Sequence, residues 1–377
     1  MAPLHLGIAL DGTGWHPASW RLPDARPTDV LTASYWTDLV AEAERGLADF
    51  VTIEDGLALQ SDHPFRPDTR TDRLRGRLDT VQIAARVAPL TRHIGLIPTA
   101  ITTHTEPFHL SKAIATLDYV STGRAGVRVQ VSSNPETVGH FGREVADDTM
   151  AEAADYVEVL RRLWDSWEDD AEIRDAATGR FVDRDKLHYI DFEGTWFSVK
   201  GPSITPRPPQ GQPLVAALAH GDPAYRLVAA SADLGFITPH HADEIVGIAD
   251  TIAEQRPAGA TTVRIIADLV VFLGDTPTAA AAHRAQLDEL LGREYVSDAE
   301  VFVGTPAQLA DLLHQWQAGG ADGFRLRPAA IPHDLHQITG GLVPELQRRG
   351  IFRTGYAKST LRGLFGLSRP ANRYAHP

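Results

Sequence analysis

The chain has 377 residues, no cysteine and a formal net charge of −13. Its length allows one large domain with a substantial core, and the missing cysteines exclude disulfides, thiolate metal sites and cysteine nucleophiles. The acidic balance argues against a nucleic-acid partner, because phosphate binding needs a basic surface. No apolar run approaches the roughly 20 residues of a membrane span. The N-terminus also lacks a signal-peptide pattern, so we expect a cytoplasmic protein that does not enter a membrane.

Strand-like and helix-like segments alternate along the chain. The predicted strands cover residues 4–10, 50–53, 94–100, 125–131, 213–218, 234–238, 262–272 and 323–326. The predicted helices cover residues 34–48, 78–88, 107–120, 151–167, 223–231, 244–254, 278–291, 306–317 and 333–347. This alternation implies parallel strands joined by right-handed crossovers. Eight such strands predict an α/β fold of the (β/α)8 TIM barrel type.

Two segments fall outside the alternation. Residues 168–212 form an excursion rich in aspartate, glycine and proline, and residues 348–377 form a basic C-terminal arm. We therefore predict a single barrel domain over residues 1–347 that includes the excursion, followed by the arm. The arm is interpreted either as a segment that wraps a partner subunit or as a loose tail.

Polar residues follow the first four predicted strands. They are Asp11, Asp55, Thr99, Thr102 and Asn134, the last within the turn Ser132-Ser133-Asn134-Pro135. TIM barrels build their active sites at the carboxyl ends of the strands, so these residues are candidates for ligand contacts. The alternative interpretation is that aspartate and threonine after a strand cap the next helix.

Histidines offer a further set of candidates. His104 lies in the loop after the third strand and is the candidate for contact with a substrate. His240, His241, His333 and His336 could be drawn as metal ligands, but they lack a supporting pattern such as His-Glu-x-x-His. We interpret them as surface histidines and predict no metal.

Longer stretches of the chain resemble the bacterial luciferase-like flavin-dependent monooxygenases, in the branch of the nitrilotriacetate, EDTA and dibenzothiophene-sulfone monooxygenases. The motif Ser132-Ser133-Asn134-Pro135 is one of these stretches. The others include residues 20–23, 54–59, 106–110, 115–126, 163–167, 206–211, 321–324, 343–350 and 370–373. The resemblance implies a TIM barrel that uses reduced FMN, supplied by a separate flavin reductase, and O2 to oxygenate a small organic substrate.

The resemblance also implies roles for particular residues. Asp55, Thr99 or Thr102, and Asn134 match positions near the flavin ring. On the phosphate side, Gly221 stands where the family has the serine of a Gly-x-Ser turn, and His220 is the residue that would compensate.

Three further departures concern the surroundings of the flavin. Ala146 and Met150 replace a histidine and a tyrosine of the family. The long helical insertion before residue 303 is reduced to residues 293–302. We therefore expect a luciferase-like barrel with a shortened insertion region.

These observations leave three functions open. The first is a two-component FMN-dependent monooxygenase, which the candidates at the strand ends favour. The second is a non-catalytic barrel subunit that has lost FMN phosphate binding, which the departures favour. The third is an oxidoreductase that uses a deazaflavin. In each case we expect a homodimer or a higher homo-oligomer.

Overall fold

Eight parallel strands close into a barrel in the computed structural model, which describes residues 4–63, 66–132, 134–142, 144–259 and 261–375. They are β1 (His5–Leu10), β2 (Phe50–Ile53), β3 (Gly95–Ile101), β4 (Gly126–Gln130), β5 (Leu214–Ala219), β6 (Leu234–Ile237), β7 (Arg264–Leu273) and β8 (Gly323–Pro328). Each strand pairs with its successor, and β8 pairs with β1. The predicted TIM barrel is confirmed, and all eight strands lie where the alternation placed them.

Helices pack around the barrel. They are α1 (Ala33–Arg45), α2 (Thr80–Val87), α3 (Pro107–Val120), α4 (Pro135–Phe141), α5 (Thr149–Asp165), α6 (Asp222–Ser231), α7 (Ala242–Glu254), α8 (Pro277–Leu291), α9 (Pro306–Ala318), α10 (His333–Gln337), α11 (Val343–Arg348) and α12 (Leu361–Leu364). Side-chain caps fix several starts: Thr305 and Gln308, for example, form a capping box at α9. Among the described residues, no helix is both long and apolar enough to cross a bilayer.

Two helical predictions need correction. The single helix predicted over residues 333–347 is divided, because a π-helical turn (Ile338–Leu342) that contains Gly340 and Gly341 separates α10 from α11. Helix α4 was not predicted, since it has only seven residues and includes Gly139. It begins at Pro135, the last residue of the Ser-Ser-Asn-Pro motif, and so helps to shape the mouth of the barrel.

One strand outside the barrel was also missed. Residues Glu300–Gly304 pair in parallel with Leu269–Leu273, the carboxyl-terminal half of β7. Only residues 292–299 separate α8 from this additional strand. The region where the resemblance predicts a shortened insertion is therefore a brief link.

The C-terminal arm completes the core at the amino-terminal end of the barrel. Leu361 and Phe365 are buried there against residues at the amino ends of the strands, among them Phe50 and Leu234. The rings of Phe50 and Phe365 lie 5.9 Å apart between centroids. The interpretation of a loose tail is wrong for this part of the arm, which packs into the chain's own core.

The excursion folds into two short hairpins beside α5. They pair Glu172–Asp175 with Arg180–Val182, and Phe192–Glu193 with Ser198–Val199. A buried ion pair ties the excursion to α5, because Arg207 Nε donates to Asp165 Oδ1 at 2.9 Å. The excursion thus covers a flank of the barrel beside α5.

Candidate active site

A cleft of about 510 Å³ opens at the carboxyl ends of β2, β3 and β4. The segment after β2 forms one wall, and the end of β4 with its following turn forms the other. The lining residues are Asp55, Gly56, Leu57, Ala58, Leu59, Gln60, Ser61, His63, Arg77, Ile101, Gln130, Val131, Ser132, Asn134 and Thr137. The position agrees with the rule that barrel enzymes bind ligands at this end of the strands.

Two predicted site residues, Asp55 and Asn134, line this cleft. Asp55 accepts hydrogen bonds from Gly56 N at 2.7 Å and from the Thr80 hydroxyl at 3.3 Å, and burial raises the pKa of its carboxyl group. Asn134 is the N-cap of α4, with Oδ1 accepting from Glu136 N at 2.9 Å. Both side chains therefore support local backbone while they line the cleft. Ser133 of the same turn lies outside the described residues.

Three other candidates lie behind the cleft walls. Thr99 points into the barrel, where its hydroxyl accepts from Arg128 Nη1 at 3.1 Å. Thr102 is buried, and its amide donates to Gln130 O at 2.9 Å, so it joins β3 to β4. His104 is buried and stacks on Phe141, with 4.9 Å between ring centroids. None of the three lines the cleft.

Gln130, the last residue of β4, is a feature that the sequence analysis missed. Its side chain lines the cleft, and Oε1 is buried without a hydrogen-bond partner in the described part of the chain. A buried amide oxygen that lacks a donor costs about 1–3 kcal/mol. This cost is removed if a ligand with an N–H group binds in the cleft.

A second cavity of about 240 Å³ continues along β4 toward β5. Gln130 and Val131 belong to both cavities, so the two spaces adjoin. The second cavity is also lined by Arg128, Met150 and His220. Arg128 Nε is buried with no partner among the described residues, so β4 presents both an unmatched donor and an unmatched acceptor.

The turn after β5 carries the remaining predicted residues. His220 is exposed, with Nδ1 3.0 Å from the Thr238 hydroxyl and Nε2 3.4 Å from Asp298 Oδ2. Gly221 is the N-cap of α6 and has φ +80° and ψ 173°. Asp222 follows as the first residue of that helix. An anion at this turn would meet a histidine and backbone amides, but also the Asp222 carboxylate.

The barrel interior beneath the strand ends is charged. Arg325 donates to Asp268 Oδ1 at 2.8 Å and to Glu54 Oε1 at 3.2 Å. Arg128 donates to Glu54 Oε2 at 2.6 Å, and Arg327 donates to Asp268 Oδ2 at 3.0 Å. Burial raises the pKa of Glu54, but the charges of Arg128 and Arg325 outweigh it and lower the pKa to about 2. This network stands where TIM barrels usually have a further apolar layer, and it keeps Glu54 ionised.

One group of side chains in the described regions, His283, His333 and Asp334, is close enough to share a metal ion. Both oxygens of Asp334 already accept backbone N–H groups, from Leu273 and Ala330, at 2.8 Å. His333 Nε2 donates to Leu273 O at 2.9 Å. The group is best explained as a support for the loop after β8. His333 is half-buried, so its interpretation as a surface histidine is wrong.

Comparison with known proteins places this geometry in a family. The sequence model of the luciferase-like monooxygenases matches residues 17–323. N-acetyl-S-(2-succino)cysteine monooxygenase from Bacillus subtilis (strain 168) is 32% identical, and the match covers 99% of this chain and 98% of the relative. Nitrilotriacetate monooxygenase component A from Aminobacter aminovorans is 31% identical, with the same coverage.

A solved structure agrees in fold. EDTA monooxygenase from Chelativorans sp. BNC1 superposes with a TM-score of 0.84 at 23% identity, and the match covers 97% of this chain and 99% of that chain. The alignment with the Bacillus relative runs over 440 positions, more than the 377 residues here, so that relative carries residues that this chain lacks. The chain belongs to the luciferase-like monooxygenases, in the branch that includes the nitrilotriacetate enzyme.

Proposed function

We propose that this protein is the oxygenase component of a two-component system, which uses reduced FMN and O2 to oxygenate a small organic substrate. The observation that carries the proposal is the pair of adjoining cavities at the end of β4, with buried polar atoms that lack partners in the described chain. Gln130 Oε1 is an acceptor and Arg128 Nε is a donor. A flavin ring offers both N–H groups and acceptor atoms.

The polar residues around the two cavities fit the flavin ring better than the flavin phosphate. Asp55, Gln130, Ser132 and Asn134 would hold the ring side in the cleft, while His220 lies nearer the phosphate side. When bound, reduced FMN would supply the electrons that activate O2, because this chemistry belongs to the cofactor. The residues of this chain would position the ring, keep water from it, and hold the substrate beside it.

A second protein is part of the proposal. The Aminobacter relative is named as a component A, which supports a system where reduced flavin comes from a separate reductase. Assembly as a homo-oligomer and a cytoplasmic location stay predictions. Size-exclusion chromatography with light scattering would test the first, since a mass of 41.0 kDa is expected for one chain.

The test is oxygen incorporation. The purified chain is mixed with FMN, NADH, a flavin reductase and 18O2, together with a panel of thioethers, tertiary amines and other small organic compounds. Mass spectrometry should show a product that contains one 18O atom and requires both the chain and FMN. Absence of any labelled product across the panel, with reduced FMN demonstrably present, would contradict the proposal.

The turn after β5 favours a second candidate function. Gly221 offers no hydroxyl, and Asp222 places a carboxylate at the start of α6. A barrel that no longer holds the FMN phosphate would act as a non-catalytic subunit. The two functions differ in flavin binding: the oxygenase binds FMN, whereas the non-catalytic barrel binds neither FMN nor riboflavin.

A further inference from the structure

A third pocket, of about 190 Å³, lies beside the cleft. It is lined by the loop after β1 and by Gln60, Ser61, Asp62, Arg73, Leu74 and Arg77. The pocket and the cleft share Gln60, Ser61 and Arg77. These three residues therefore lie between the pocket and the cleft.

Arg73 is buried in the wall of this pocket, and three of its five N–H groups have no partner among the described residues. Its side chain is only 7% exposed. Nη1 donates to Asp62, whereas Nε and Nη2 are buried with no partner among the residues that the structure describes. Burying a charged donor without an acceptor costs free energy. An acceptor from outside the chain, bound at Nε and Nη2, would remove this cost.

The unused atoms form a particular edge of the guanidinium group. Nε and Nη2 donate side by side, in the fork that matches the two oxygens of a carboxylate. Arg77, in the same pocket, shows this edge occupied, because Nε and Nη2 donate to Asp11 at 3.2 and 2.6 Å. The same edge of Arg73 therefore fits a carboxylate that the protein does not itself provide.

The other charges of the pocket leave room for an anion. The carboxylate of Asp11 is matched by Arg77, and that of Asp62 is shared by Arg73 and Arg293, whose Nη2 lies 3.2 Å away. Among the lining residues Arg73 and Arg77 balance Asp11 and Asp62, and Arg293, which contacts Asp62 from outside the lining, adds a third positive charge. His16 adds no charge at neutral pH, since burial lowers its pKa to about 4.

We propose that Arg73 binds a carboxylate group of the substrate, so that the part to be oxygenated extends into the adjoining cleft. The substrate class is then a small organic acid. Calling this ligand the substrate rests on the proposed function, but carboxylate binding to the pocket can be tested without flavin or oxygen.

The test measures binding of three carboxylate probes, succinate, citrate and benzoate, to the purified chain by calorimetry and thermal shift. At least one probe should bind, and R73Q should weaken that binding by about tenfold or more. R73K keeps a point charge but loses the fork, so it should fall between the wild type and R73Q. Succinamide, the uncharged analogue of succinate, should not bind.

The matched control is R70Q. Arg70 lies in the same segment and carries the same charge, but its Nε and Nη2 already donate to Asp72, at 2.9 Å in the case of Nε. Its side chain is 37% exposed. R70Q should bind the probes as the wild type does, and urea unfolding should show that R73Q and R73K remain folded.

Three outcomes would overturn the inference. None of the probes binds the wild type, R73Q binds the probes as tightly as the wild type does, or R70Q weakens probe binding as much as R73Q does. A phosphate group is the other possible source of the oxyanion. If R73Q weakens the binding of FMN but not that of riboflavin, the pocket holds the flavin phosphate and the substrate assignment is wrong. Carboxylate binding with no labelled oxygen product would leave the pocket intact and refute only the oxygenase.

Discussion

Replacing Gly221 by serine restores the residue that the family places in its phosphate-binding turn, yet we expect this change to destabilise the protein. Gly221 has φ +80° and ψ 173°, a region that is nearly restricted to glycine and costs other residues about 1–3 kcal/mol. A Cβ atom there would meet nothing within 4 Å. The whole cost therefore comes from the backbone, and G221A should lose as much stability as G221S.

Urea unfolding provides the measurement, and Gly247 provides the matched control. Gly247 is exposed within α7, and a Cβ atom there also meets nothing within 4 Å. Since its backbone is helical, G247A should gain about 1 kcal/mol. The same glycine-to-alanine change is thus expected to have opposite signs at the two positions.

Two results would refute this reasoning. G221S as stable as the wild type would mean that the turn does not hold its positive φ. Tighter FMN binding in G221S would mean that this chain has simply lost a hydroxyl from an otherwise unchanged turn. We expect neither, because the turn is built around a conformation that serine disfavours.

Two further predictions concern buried charge. Because burial lowers the folded-state pKa of His16 from 6.5 to about 4, the unfolded chain binds more protons between these values. The free energy of unfolding should therefore fall as the pH drops from 6.5 to 4, by up to about 3 kcal/mol. In H16N, urea unfolding at a series of pH values should show a smaller fall over the same range. D268N should cost about 3–5 kcal/mol, because it removes the buried carboxylate that Arg325 and Arg327 share and leaves them only Glu54 and Asp298 as charged partners. D38N at an exposed pair should leave the unfolding midpoint nearly unchanged, and an equal loss in both variants would refute a special role for the buried network.

The barrel could be predicted from the sequence because its elements are local. Each strand is a short apolar run, and each long helix has an apolar face with the helical period. The additional strand Glu300–Gly304 could not be predicted, since its five residues pair with a part of β7 that continues beyond the barrel. The contact between Phe365 and Phe50 joins residues far apart in sequence, so no local pattern indicates it.

The candidate site was predictable only in part. Asp55 and Asn134 line one cleft because a barrel gathers its strand ends around one mouth. Thr99 lies inside the barrel, because alternate residues of a strand point to opposite faces. Gln130 and Arg73 could not be predicted, because they are distinguished by buried polar atoms that lack a partner among the described residues. A sequence does not show which hydrogen bonds are missing.

The most direct test of the account is an anaerobic titration of the chain with reduced FMN, followed by flavin fluorescence. We predict a Kd tighter than about 10 µM, close to −7 kcal/mol. Q130M should weaken binding by about 3–10-fold through the loss of one hydrogen bond, while Q82M, the same change on the exposed surface of α2, should not. No binding of FMN to the wild type, or equal binding to Q130M and the wild type, would contradict a flavin site at the end of β4.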